Sequence, residues 1–189
     1  SVYASTGTIA GYPLLREICA RPFAAGDALE MGDLTVQTVR TPHDGTEPVA
    51  VLATARSSGA RAGIVYDLGH VPASYRTTFE RLDILVLESN HDEGMLRAGP
   101  YPPVVQARIA GAFGHLSNRR SAAFARDCVH AGLTQLVLAH LSERCNQPEI
   151  AMWSMREAVR AVRFRGALHA ASQRAVCGPF AAGRGARSA

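Results

Sequence analysis

The chain has 189 residues, enough for one domain of ordinary size or for part of a larger one. Its 47% hydrophobic and 19% charged content is that of a globular protein. No apolar run approaches the roughly 18–20 residues of a membrane span, and the start lacks a signal peptide's pattern, so a soluble cytoplasmic protein is expected.

In chain order, 2–5 reads as a short strand, and Ser5 or Thr6 caps a helix running to about Ala20. Residues 28–41 read as a hairpin turning at Gly32-Asp33, and 49–57 with 61–69 as a strand pair around Ser58-Gly59. A helix over 73–81 leads into 83–90, an unbroken apolar strand of the kind buried on both faces. Helices follow at 104–113 and at 117–132, the second capped by Ser117 and stopped by Gly132. Residues 133–141 form a second buried strand, and 148–162 a helix with proline in its first turn. A last short strand covers 167–172, and the small, polar tail 178–189 reads as disordered. Hairpins followed by strand–helix alternation make a mixed α/β layered domain, with no second domain.

The chain has no lysine; all 20 basic residues are arginine, a skew that reads first as a composition effect. A net charge of +4 and a pI near 9.2 still suit a polyanionic substrate. Cys19, Cys128, Cys145 and Cys177 are scattered without a CxxC pair, so reduced and mostly buried thiols are expected.

The chemistry-bearing residues gather at strand ends, where α/β sheets bind ligands. His43 and Asp44 follow one strand, Asp67 interrupts the apolar run 63–69, Glu88 to His91 end another strand, and His140 ends a third. Imidazole and carboxylate together suit zinc, iron or manganese. Alone, His43 reads as a polar strand terminus. Asp67 is harder to dismiss, because a carboxylate buried among apolar residues needs a cation or donors. His115, between Gly114 and a helix start, suits a mobile imidazole near developing negative charge, or a helix-entry histidine bonded to nearby backbone. Glu88, Asp92 and Glu93 read as solvated strand-end charges, His70 and His130 as surface residues, and His169 as a core or edge residue. No nucleophile elbow, phosphate loop, dinucleotide fingerprint or HExxH string is present.

The ordered strings TPHDGTEPVAV, GIVYDLGHV, LDILVLESNHDEGMLRAGPYP, GHLSNRRSAA and LVLAHLSERCNQPE resemble the metallo-β-lactamase superfamily over roughly 1–175. The likeness is to its WalJ/YycJ-like branch, relatives of ribonuclease Z. It implies an αββα four-layer sandwich, of which 1–177 would be the C-terminal portion, with the N-terminal strands and first metal loop absent. It also implies a metal-dependent hydrolase, a phosphodiesterase or nuclease using a metal-activated hydroxide. By the same likeness His43, Asp67 and His140 are metal ligands, His115 and His91 serve catalysis, and Arg119, Arg120 and Asn118 bind substrate. The cofactor implied is Zn2+, two per complete site, with Mn2+ or Fe2+ as alternatives. The implied partner is nucleic acid or another phosphodiester, with no membrane, and a homodimer is allowed.

The family's HxHxDH string is missing, and the non-Met start agrees with a chain that begins after it. With His43, Asp67 and His140 alone each metal is short of ligands, so the chain by itself is expected to be inactive or weakly active. A small-ester or thioester hydrolase, and an interaction module without its metal loop, are the competing readings. Arg156, Arg160 and Arg163 are placed on one helical face, as phosphate contacts or as a solvated surface.

Overall fold

The computed structural model describes residues 1–18 and 20–182. Its N-terminal unit is small: β1 (Tyr3–Ser5), α1 (Thr6–Gly11), α2 (Leu14–Glu17) and β2 (Arg21–Phe23), with β1 and β2 paired in parallel. Ser5 caps α1 by accepting from the Thr8 amide. The single helix expected up to about Ala20 is instead broken between α1 and α2, where Pro13 lacks an N–H and α1 ends on Gly11. Strand β2 is also new, and its Pro22 fits a strand at a sheet edge.

Glu47 ties this unit to the rest. Its carboxylate accepts from the Thr6 hydroxyl at 2.7 Å, the Gly7 amide at 2.7 Å and the Ala25 amide at 2.9 Å. Those bonds, the Thr6 hydroxyl foremost, hold its pKa at about 2 against an ordinary 4.5. Because the folded value lies below the unfolded one, the anchorage is fully present above the ordinary value and lost as pH falls toward about 2. Amide exchange at Gly7 and Ala25 should therefore accelerate as pH falls from 4.5 toward about 2, after correction for intrinsic rates. Glu47→Gln should show fast exchange at every pH; slow exchange in that variant would remove Glu47 as the anchor.

The main sheet has seven strands in sequence order: β3 (Ala28–Met31), β4 (Leu34–Arg40), β5 (Val49–Ala55), β6 (Arg61–Val65), β7 (Ile84–Glu88), β8 (Gln135–Ala139) and β9 (Ala167–Ala170). Strands β3 to β6 are antiparallel neighbours, as the two sequence hairpins predict, and β6 to β9 run parallel. Gly32 turns the first hairpin at φ 63°, a backbone region open to glycine and strained for most side chains. Alternation then divides the sheet faces. Leu85, Leu87, Leu136 and Leu138 are buried with Leu52 and Val65 against Tyr75, Phe79 and the helices α6 (Asn118–Cys128) and α7 (Pro148–Arg160). On the other face, register aligns Val51, Ile64, Val86, Val137 and His169 in one row across five strands. Ile64 and Tyr66 on this face are exposed, while Phe180 stacks on His169 with ring centroids 4.7 Å apart.

Helix α3 (Tyr75–Thr78) is shorter than the expected 73–81, because Phe79 and Leu82 turn into the core around Arg81 at φ 56°. Helix α4 (Glu93–Ala98) lies where no helix was expected. Asp92 caps it by accepting from the Gly94 and Met95 amides, so the solvated strand-end reading of Asp92 gives way to a cap. Helix α5 (Pro103–Ala110) fills most of the expected 104–113 but ends at Ala110, ahead of Gly111. Ser117 caps α6 as predicted, but α6 ends at Cys128, before Gly132, where His130 Nε2 is drawn to the Leu82 carbonyl at 2.8 Å. Arg163 lies past the end of α7 at φ 59°, so it leaves the helical face shared by Arg156 and Arg160.

Cys128 and Cys145 are buried and free, and burial pushes the Cys128 thiol up to about 12. Cys177 is half-buried and free. Cys19 and the tail residues 183–189 lie outside the described residues. No helix among the described residues is long and apolar enough to cross a membrane.

Candidate functional site

Because β6, β7 and β8 are parallel, their C-terminal ends open at one edge of the sheet. Asp67 follows β6, Glu88 is the last residue of β7, and His140 follows β8, with Glu88 in register with Ala139. Both Asp67 and His140 turn in the left-handed region, at φ 56° and 55°. Non-glycine residues take that conformation rarely, and where they do the surrounding packing must hold it. His115 reaches the same point from the loop between α5 and α6, and His43 from the loop after β4.

Glu88 is the centre of this group. It is 0% exposed, which corrects its reading as a solvated strand-end charge. Its Oε1 accepts from His115 Nδ1 at 2.7 Å and His140 Nδ1 at 2.8 Å. Its Oε2 accepts from the Leu68 amide at 3.1 Å and the Leu116 amide at 3.2 Å. Burial alone pushes its pKa up, but the hydrogen bonds from the two histidines and the amide more than offset this and hold it below the ordinary carboxylate value. The buried carboxylate is therefore ionised and accepts only.

That fixes the histidines. An ionised carboxylate cannot donate, so Nδ1 of His115 and of His140 must carry the proton, leaving Nε2 as the lone-pair nitrogen of the neutral ring. His43 follows the same rule, since its Nδ1 donates to the Gly114 carbonyl at 2.9 Å. The rings stand side by side: His43 to His115 centroids are 4.9 Å apart, and His115 to His140 centroids 5.0 Å. Asp67 Oδ1 lies 3.4 Å from His140 Nδ1 and 3.7 Å from His115 Nδ1. Asp67, Glu88, His115 and His140 each offer a donor atom within 4.8 Å of the others. Imidazoles steadied through one nitrogen by a carboxylate or carbonyl form the arrangement that metal-binding histidines use, although the second nitrogen of His43 faces Asp44 Oδ1 at 3.4 Å. The donor set of imidazole nitrogen and carboxylate oxygen fits a divalent transition ion.

His140 has its pKa raised, chiefly by the hydrogen bond to Glu88, and Asp67 adds to this. Beside the group, Asp44 pairs with the Arg108 guanidinium at 2.5 Å, which holds its carboxyl below the ordinary value.

The other predicted residues separate. His91 is 2% exposed, and its Nδ1 finds no partner among the described residues; burial pushes its pKa down. Its strand-like bridge to Ser117 places it beside the His115 loop. Asn118 is buried away from the open surface: its Oδ1 accepts from Ser89 Oγ at 2.7 Å, and its amide donates to Asn146 at 2.9 Å. Arg119 is exposed and pairs with Glu93 at 3.1 Å, a contact that also departs from a purely solvated Glu93. Arg120 donates to the Gly69 carbonyl at 2.9 Å, two positions beyond Asp67. His70 bonds the Ala112 carbonyl, and His169 bonds Gln135.

Glu88 is the residue that sequence reasoning passed over. The signal was present: a carboxylate closing an apolar strand raises the same question of burial that was asked of Asp67.

No family model matches the chain. It is 30% identical over 142 residues to the exodeoxyribonuclease YycJ of Bacillus anthracis, a match covering 75% of this chain and 53% of that protein. The chain thus spans about half the length of this curated relative. Among solved structures it resembles the metallo-β-lactamase fold protein YhfI from Bacillus subtilis, with a TM-score of 0.58 at 18% identity over 86% of this chain and 59% of that one. It also resembles Zn2+-bound PqqB from Methylobacterium extorquens, with a TM-score of 0.57 at 18% identity over 88% of this chain and 59% of that one.

Proposed function

The chain carries the metallo-β-lactamase fold and is a homologue of an exodeoxyribonuclease, and from that premise we propose that it forms part of a metal-dependent hydrolase acting on nucleic-acid phosphodiesters. The observation that carries this reading is the buried Glu88 carboxylate, which orients His115 and His140 beside Asp67.

His43, Asp67 and His140 would hold the metal, with Zn2+ as the first choice and Mn2+ or Fe2+ as alternatives. A bound divalent ion supplies Lewis acidity and lowers the pKa of a coordinated water from about 15.7 to about 7. Glu88 keeps the lone pairs of the two rings aimed outward from the sheet edge. His115, steadied through Nδ1 by Glu88, would take up a proton at Nε2 and pass it to the departing oxygen. Arg119 and Arg120 flank the start of α6, where cationic side chains and the helix N-terminus favour a phosphate.

Metal uptake tests the reading without requiring turnover. Zinc titration by calorimetry should show saturable binding, and Asp67→Asn and His140→Ala should each weaken it by at least about tenfold. If the chain, shown folded by circular dichroism, takes up neither Zn2+ nor Mn2+, the hydrolase reading fails for it. Should metal bind while a labelled single strand stays intact and a thioester is cleaved, the small-ester alternative takes its place.

A further inference from the structure

A cavity of about 440 Å3 opens between α4, α5 and the start of α6. Its size falls within the about 300–1,000 Å3 of small-molecule sites. One part of its lining is apolar, from Leu96, Ala107 and Ala110, and another carries the cations Arg97, Arg119 and Arg120. Glu93 is the lining's acid, and it is taken up by Ser117 Oγ at 2.9 Å and by Arg119. Arg97 has no ion pair among the described residues, so the cavity keeps positive charge in excess.

Two contacts join this cavity to the metal centre. Arg120 reaches from its wall to the Gly69 carbonyl, next to the Asp67 turn. His91 lines it and is bridged to Ser117, two positions beyond His115. His91 is also 98% buried by its 2% exposure, with Nδ1 unpartnered among the described residues. A buried polar atom left without a partner in the protein calls for an explanation, and a group bound in the adjoining cavity is one. A neutral imidazole offers one donor and one acceptor, which suits the edge of a nucleobase.

We propose that this cavity is a pocket for the terminal nucleotide of a DNA strand, taking the base over Leu96, Ala107 and Ala110 beside His91 and the phosphate at Arg97 and Arg120. The proposal rests on the nuclease reading above and gives its substrate an end. An apolar wall accepts any base face, arginines hold the phosphate, and a cavity of this volume has room for about one nucleotide.

Binding of thymidine 5′-monophosphate, thymidine and inorganic phosphate to the whole chain, each followed by calorimetry without metal, tests this. The nucleotide is expected to bind at least about tenfold tighter than thymidine or phosphate. Ala107→Trp, an exposed wall position that can accept bulk without unfolding, should abolish nucleotide binding. Arg120→Ala should weaken the nucleotide and phosphate together, and His91→Gln the nucleotide alone. Equal affinity for phosphate and nucleotide would reduce the pocket to an anion site and overturn the proposal, as would no saturable binding by folded protein. Zinc titration of the same sample separates the failures: lost nucleotide binding with zinc uptake intact removes the pocket, and lost zinc uptake removes the hydrolase reading.

Discussion

Glu88→Ala should be the most damaging single substitution at the site, removing metal affinity and several kcal/mol of stability together. The carboxylate closes four hydrogen bonds, from two imidazoles and from the Leu68 and Leu116 amides. Alanine leaves those donors facing a void, and each buried donor without an acceptor costs about 1–3 kcal/mol. Glu88→Gln separates the two roles. It preserves volume, but its NH2 group meets either the two imidazole N–H groups or the two amides, donor against donor. A loss of about 10–100-fold in zinc affinity is expected for this variant, as for other residues that orient metal-binding histidines. Urea unfolding and zinc titration of both variants give the measurement. Wild-type zinc affinity in Glu88→Gln would show that the carboxylate does not orient the rings.

Gly114→Ala should be nearly as severe, through sterics alone. A Cβ there would stand 2.2 Å from the carbonyl oxygens of Arg108 and Ile109, the end of α5. Those are backbone atoms and cannot swing aside as a long side chain would. The His115 amide also bonds the Ile109 carbonyl at 2.8 Å, and the Gly114 carbonyl holds His43, so displacement here moves two imidazoles at once. Destabilisation at the upper end of the about 1–3 kcal/mol typical of overpacking is expected. For a chain of this size that lowers Tm by on the order of 10 °C. Gly11→Ala is the matched control, because its Cβ would meet nothing within 4 Å. Similar thermal melts for the two variants would refute the close-packing account.

Much of the scaffold is legible in residue order because strand and helix periods differ. The apolar stretches within 83–90 and 133–141 announce buried strands, and both are found, running parallel. The hairpin glycines and the Ser117 cap act locally, so they read correctly as well. What fails are features decided at a distance. Pro13 splits the first helix, but Arg21–Phe23 becomes a strand only because β1 lies beside it. Glu88 looks like a surface charge until His115 and His140, far along the chain, are seen to donate to it. Asn118 sits in a motif that suggests substrate, yet its amide is committed to Asn146, a partner no local pattern names. His91 shows the same limit, since only the assembled loops reveal a ring with an unpartnered nitrogen.

The paired left-handed turns at Asp67 and His140 carry a kinetic consequence. Each such residue costs on the order of 1–3 kcal/mol, a cost met once, when the chain folds. At the proposed metal site, an arriving cation then finds its ligands already stationed and has little loop motion to wait for. Its capture should be governed by the rate at which it sheds hydration water. Its escape requires breaking several bonds to side chains that the fixed turns hold in place, so exchange with free ions should be slow.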